Sequence, residues 1–219
     1  MLKRFVLRPL VPFALWMLPV LGLGGCANLL PSRTSTPPTA LATLPSAAHI
    51  HTMDLGPAGR EYDLRFLDAM VPHHEGAVVM AEDALQKTQR AEVRQLAQAI
   101  VRAQAEEIAQ MKRWRAAWYP QAPANLVAWH GATGHSMPMS DEQIQAMRMD
   151  EDLGPADATY DPRFLDGMIL HHEAAVVMAK DVLQKSQRPE VRQLAQAILA
   201  SQTAEVNQMK AWRQQWYGQ

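Results

Sequence analysis

A long stretch of this chain is written twice. Phe66 to Ala81 reads FLDAMVPHHEGAVVMA, and Phe164 to Ala179, 98 residues later, reads FLDGMILHHEAAVVMA. The register holds downstream, where QMKRWRAAWY ending at Tyr119 returns as QMKAWRQQWY ending at Tyr217. Between Phe66–Tyr119 and Phe164–Tyr217, 36 of 54 positions are identical. Whatever one stretch folds into, the other must fold into as well, so the chain is restricted to architectures built from two like units.

Each repeat reads as two helices joined by a short turn. Asp161 before Pro162 is a helix-start pair, with Asp as cap and Pro at the first helical position, and Asp63 is placed to cap the first copy equivalently. The first helix of each pair runs to about Lys87 or Lys185; its partner begins near Ala91 or Pro189 and ends at the Trp-Tyr pair. Pro72 inside the first helix predicts a kink, although Leu170 takes that place in the second copy. A hairpin of two such helices cannot bury both apolar faces alone. Two hairpins packed together can, which predicts an all-α fold: one four-helix bundle with pseudo-two-fold symmetry.

At about 100° per residue, Met70, His73, His74, Ala77, Met80 and Ala81 share one face of the first helix. Asp68, Glu75, Glu82 and Asp83 fall on the opposite face. The second copy repeats the inward set as Met168, His171, His172 and Met178. On the second helix the apolar stripe carries Met111, and in the later copy Met209, yet Gln104 with Glu107 and Gln202 with Glu205 lie inside it. A carboxylate facing a core needs a partner, and the inward histidines are the available ones. Imidazole and thioether together, without thiolate, suit a soft cation: Cu(I), with Ag(I) as its mimic. A single inward His or Met is ordinarily core; four histidines and six methionines facing one small interior are not ordinary.

The same residue types recur between the helices. His49, His51 and Met53 precede the first repeat, and His130, His135, Met137 and Met139 lie in the central link, with Met147 and Met149 just beyond. As loop residues, His49, His51, Met53, His135, Met137 and Met139 are expected to capture metal from solvent. The resulting division is 1–25 signal, 26–52 tether, 53–120 first hairpin, 121–146 linker and 147–219 second hairpin.

The N-terminal division rests on Lys3, Arg4 and Arg8, an apolar run from Val11 to Leu23, and the sequence LGGC ending at Cys26. That is the pattern of a secretory signal, too short and too proline-interrupted for a comfortable span of about 20 residues. LGGC resembles a bacterial lipobox, which implies cleavage before Cys26 and acylation of its thiol. Cys26 is the only cysteine, so neither disulfide nor thiolate ligand serves the fold. Ala27 to Ala48, rich in Pro, Ser, Thr and Ala, reads as a flexible tether. By analogy with lipoprotein sorting, Ala27 rather than Asp after the cysteine points to the periplasmic face of an outer rather than an inner membrane. A net charge of −1 lacks the footprint of a nucleic-acid binder.

At the motif D-x-M-x-x-H-H-x-x-A-x-x-M-A the chain resembles the bacterial domain-of-unknown-function family 305, in two tandem copies from about Tyr62 to Tyr119 and Tyr160 to Tyr217. The resemblance implies a ferritin-like helical bundle, often exported, with copper-binding periplasmic proteins among the two-domain members. Carried over by position, the family's His pair falls on His73–His74 and His171–His172, and its methionines on Met70, Met80, Met168 and Met178. The expected function is an exported lipoprotein that binds Cu(I) for tolerance, buffering or trafficking, with Glu107 and Glu205 fixing the imidazoles and a metal-transfer protein as partner. Two alternatives stay open: a dinuclear-metal oxidase or peroxidase in the same bundle, and a metal-free envelope adaptor. Against the first stands the shortage of inward oxygen ligands, since a dinuclear carboxylate site takes Glu-x-x-His on two helices and further glutamates on the others.

Overall fold

The computed structural model describes residues 54–218. The expected signal and tether, Cys26, His49, His51 and Met53 lie outside the described residues. The elements in order are α1 (Tyr62–Lys87), α2 (Ala91–Trp118), β1 (Val127–His130), β2 (His135–Pro138), α3 (Asp141–Arg148), α4 (Tyr160–Lys185) and α5 (Pro189–Tyr217). Among the described residues no helix is long and apolar enough to cross a membrane.

The hairpin ends fall where the sequence places them, but the starts shift. Glu61 and Thr159 occupy the cap positions of α1 and α4 without side-chain caps, and Asp63 and Asp161 are second helical residues, in the first turn. A carboxylate there still complements the helix dipole. Pro162 is consequently the third helical residue, where an N–H would have no intrahelical acceptor anyway. α1 continues through Pro72 as one helix. The α1–α2 turn is held by Arg94, which donates to the Leu85 and Thr88 carbonyls at 2.6 Å each. Arg192 does the same for Leu183 and Ser186 at 2.6 and 3.2 Å.

The two hairpins form one bundle, joined by contacts that come in matched pairs. The Tyr62 hydroxyl donates to Asp181 at 2.7 Å and the Tyr160 hydroxyl to Asp83 at 2.8 Å. Arg188 lies over the Trp118 ring at 4.4 Å and Arg90 over Trp216 at 4.2 Å. A short strap before each α1-type helix, Asp54-Leu-Gly-Pro-Ala58 and Asp152-Leu-Gly-Pro-Ala156, is clamped from both hairpins. Lys185 donates to the Gly56 carbonyl at 2.9 Å and Lys87 to that of Gly154 at 2.8 Å. Arg65 and Arg163, from the strap's own hairpin, donate to the Leu55 and Leu153 carbonyls at 2.6 Å each. Every one of these contacts maps onto its mate by the 98-residue offset, which is a pseudo-two-fold relation.

Each of the two apolar cores therefore draws on both repeats. One joins Phe66, Leu67, Met70 and Met111 with Met178, Val182, Val191, Leu194 and Ile198. The other joins Met80, Ala84, Val93, Leu96 and Ile100 with Phe164, Leu165, Met168 and Met209. The start of α1 thus packs with the end of α4, and the end of α1 with the start of α4.

The central link is ordered, which corrects three expectations. β1 and β2 pair antiparallel, and α3 follows with a full capping box, Ser140 and Gln143 exchanging side-chain and backbone bonds. Met139 and Met147 are buried, packed into the first core, so Met139 is a core residue and not a solvent-facing captor. Asp68, expected on the outward face, is wholly buried under this link. It accepts from Arg115 and, at 2.9 Å, from the Val127 N–H. Its counterpart Asp166, also paired with an arginine, has a side chain 49% exposed.

Candidate metal centre

The two helices that cross at the pseudo-two-fold, α1 and α4, each carry a His-His pair at their middle. All four imidazoles are fully buried. His73 and His171 meet across the axis with ring centroids 3.9 Å apart, and each lies 6.2–6.3 Å from its sequence neighbour. His74 and His172 point instead toward the partner helix of their own hairpin. His74 Nε2–H donates to Glu107 at 2.7 Å, and His172 Nε2–H to Glu205 at 2.7 Å. A carboxylate can only accept, so the proton sits on Nε2 and the lone pair on Nδ1. The expected imidazole–glutamate pairing is thus present in both hairpins.

His171 reaches the same tautomer by another route. Its Nε2–H donates to the Arg148 carbonyl at 3.1 Å, at the C-terminal end of α3. That carbonyl can lie so close only because residue 76 is glycine: a Cβ there would stand 1.8 Å from the Arg148 oxygen. Ala174 is the counterpart in α4, so the two sides of the axis are covered differently.

The buried imidazole nitrogens left without a hydrogen-bond partner are Nδ1 of His74, His171 and His172, and both nitrogens of His73. Unpaired buried polar atoms are rare and expensive, on the order of 1–3 kcal/mol each. The Oε1 atoms of Gln104 and Gln202, one turn from Glu107 and Glu205, are in the same condition. Burial first, then the neighbouring rings of His171, His74 and His172, holds His73 well below the ordinary histidine range. His171 is pushed down to about 3, by burial and then by His172 and His74, against the opposing Arg148 carbonyl. Both rings are therefore neutral at physiological pH, the form in which imidazole is a ligand.

Six methionines are almost completely buried in the two cores: Met70, Met80, Met111, Met168, Met178 and Met209. Their grouping crosses the two repeats. Met70 and Met111 share a core with Met178 of the other repeat, while Met168 and Met209 share one with Met80. Antiparallel crossing of α1 and α4 causes this exchange, because the thioether that follows one His pair lands beside the thioether that precedes the other. Among the described residues no three His, Asp or Glu side chains converge on a point by themselves. A metal centre here must draw on thioether as well as imidazole.

Of the other expected residues, His135 and Met137 lie exposed on the β-hairpin, Met139 is core, and Glu75 faces outward to Lys112. The sequence reading missed the Arg148 carbonyl, Gly76 and the paired straps. The straps were detectable, since DLGPA recurs at the same 98-residue offset; a backbone carbonyl has no sequence signature.

Solved structures of similar fold include copper-bound ones. CopM in its Cu(I)-bound form is 35% identical with a TM-score of 0.55, covering 71% of this chain and 97% of that one. CopM in its Cu(II)-bound form gives 36% and 0.57 over the same shares. A DUF305 fragment from Deinococcus radiodurans is 28% identical with a TM-score of 0.52, covering 71% and 96%. The uncharacterized protein L153 of Acanthamoeba polyphaga mimivirus is 39% identical over 51 residues, 23% of this chain, which spans about a third (34%) of that protein. The family described as "Domain of unknown function (DUF305)" matches residues 63–216 in one stretch that takes in both repeats. By that match the chain belongs to the DUF305 family.

Proposed function

We propose that this protein holds copper as Cu(I) in the bundle interior and serves as a buffering or tolerance protein of the cell envelope. The observation that carries the reading is the row of buried imidazole nitrogens with lone pairs and no partners, between one core that buries Met70, Met111 and Met178 and another that buries Met80, Met168 and Met209. Nδ1 of His74, His171 and His172 and either nitrogen of His73 are the nitrogen donors. Met70, Met111 and Met178 offer thioether on one side, and Met80, Met168 and Met209 on the other. Imidazole with thioether favours Cu(I) over harder cations. Bound copper and silver in the CopM structures support the same choice.

Glu107 and Glu205 act as acceptors that fix the tautomer and turn the lone pair inward, the usual division of labour around a metal-bound histidine. Both carboxylates are engaged in this way, which favours a cargo site over a dinuclear carboxylate oxidase. The acylated Cys26 of the sequence reading would hold the bundle at the periplasmic face of a membrane, and a metal-transfer protein would exchange its cargo.

Competition against a Cu(I) chelator under anaerobic conditions tests the centre. Replacing His73, His74, His171 and His172 together by Ala should abolish tight binding. Because that variant opens a cavity, the double change Met70→Leu/Met168→Leu provides a second arm: it conserves volume and should weaken binding while the fold is kept. Parent-like copper affinity in both variants would rule the interior centre out.

A further inference from the structure

We propose that the β-hairpin carries a second site for a soft monovalent cation, open to solvent, formed by His130 Nε2, His135 Nε2 and Met137 Sδ. The register pairs His130 with His135 and Ala128 with Met137. Side chains alternate along a strand, so these four residues share one face of the ribbon. The opposite face is committed to the bundle. There Val127 is buried, Trp129 lies against Gly56 and under Arg65 at 5.2 Å, and the Ser136 hydroxyl accepts from Arg65 and donates to Glu61. At its loop end the ligand-bearing face looks outward, with His130 and His135 exposed and Met137 39% exposed, while Ala128 on the same face packs against the first core.

One residue of the tight 131–134 loop organises all three groups. The Thr133 hydroxyl donates to the His130 carbonyl at 3.3 Å, which leaves its oxygen to accept from His130 Nδ1–H at 2.9 Å, and His135 Nδ1–H donates to the Thr133 carbonyl at 3.2 Å. The same hydroxyl lies 3.7 Å from the Met137 sulfur. With Nδ1 protonated in both rings, each lone pair is on Nε2. This is the arrangement by which a backbone or side-chain oxygen orients a metal-binding imidazole. Two imidazoles and a thioether with no carboxylate on the face describe a site for a d10 monovalent ion such as Cu(I) or Ag(I). It requires no opening of the protein, unlike the interior centre, and suits capture and hand-off of the ion.

The inference does not rest on the interior centre, and the test separates the two. Ag(I) is the probe, titrated into the full chain and into two variants, with bound silver counted by calorimetry. His130→Ala/His135→Ala/Met137→Leu should lose one equivalent while helical content is unchanged; the four-histidine interior variant should keep that equivalent. In the 15N-histidine-labelled parent, Ag(I) should shift Nε2 of His130 and His135 and leave their Nδ1 protonated. Thr133→Val, which removes only the orienting hydroxyl, should weaken this class of binding by about tenfold or more. Unchanged stoichiometry in the hairpin variant, or Nε2 signals that do not respond to silver, overturns the proposal whatever the interior variant does.

Discussion

The metal-free protein should lose stability in acid because of two buried rings. His73 is held well below the ordinary value of 6.5, and His171 is lowered from 6.5 to about 3. Both are wholly buried, so no solvent screening softens the effect. In the unfolded chain they take up protons as the pH falls through about 6.5; in the folded chain they remain neutral until far lower. Their contribution is therefore intact above 6.5 and is lost progressively as the pH falls toward 3. Between pH 7.5 and 5.0 each ring costs about 2 kcal/mol by linkage, and the two together about 4 kcal/mol. That is a large share of a typical folding free energy of about 5–15 kcal/mol. Urea unfolding of the apoprotein at the two pH values measures it. His73→Leu/His171→Leu, which leaves the surface carboxylates alone, should show a pH dependence smaller by that amount. Identical pH profiles for parent and variant, or an NMR titration of His73 near 6.5 in the folded protein, would refute the reasoning.

Gly76→Ala should drive its methyl into the Arg148 carbonyl, destabilising the fold by about 1–3 kcal/mol and speeding amide exchange across α3; unchanged exchange in α3 would contradict the close approach. Met139→Ala should cost about 2–5 kcal/mol as a core truncation while leaving silver stoichiometry as in the parent, whereas a lost equivalent would return Met139 to the metal-binding set. Cys26→Ser should release the protein from membranes into the soluble fraction on cell fractionation, and continued membrane association would exclude a lipid anchor at that residue.

The helices, their ends and their inward faces were legible because periodicity reports on an element's own surface. Met70, His73, His74 and Met80 repeat at helical spacing, and Glu107 betrays itself as a carboxylate on an apolar stripe. What stayed hidden depends on a second element. Asp68 lies on the polar side of α1 by spacing, yet a strand N–H from the link covers it. Met139 looks like a loop residue until α3 and the bundle enclose it. The partnering of Met70 with Met178 rather than Met80 follows from the sense in which α1 and α4 cross, which side-chain periodicity does not encode. Gly76 reads as a mild helix weakener; its reason is the Arg148 carbonyl, 72 positions away in sequence.

Because each apolar core takes residues from both repeats, an isolated hairpin is half of two cores and the whole of none. During synthesis the first hairpin has nothing to close against until α4 and α5 have followed it. The closing partner need not come from the same molecule: the second hairpin of a neighbouring chain offers the same surfaces. The link between Trp118 and Tyr160 sets the local concentration that favours the intramolecular pairing. Shortening it until α4 can no longer return across α1 should favour an exchanged dimer, in which each histidine cluster is shared between two chains.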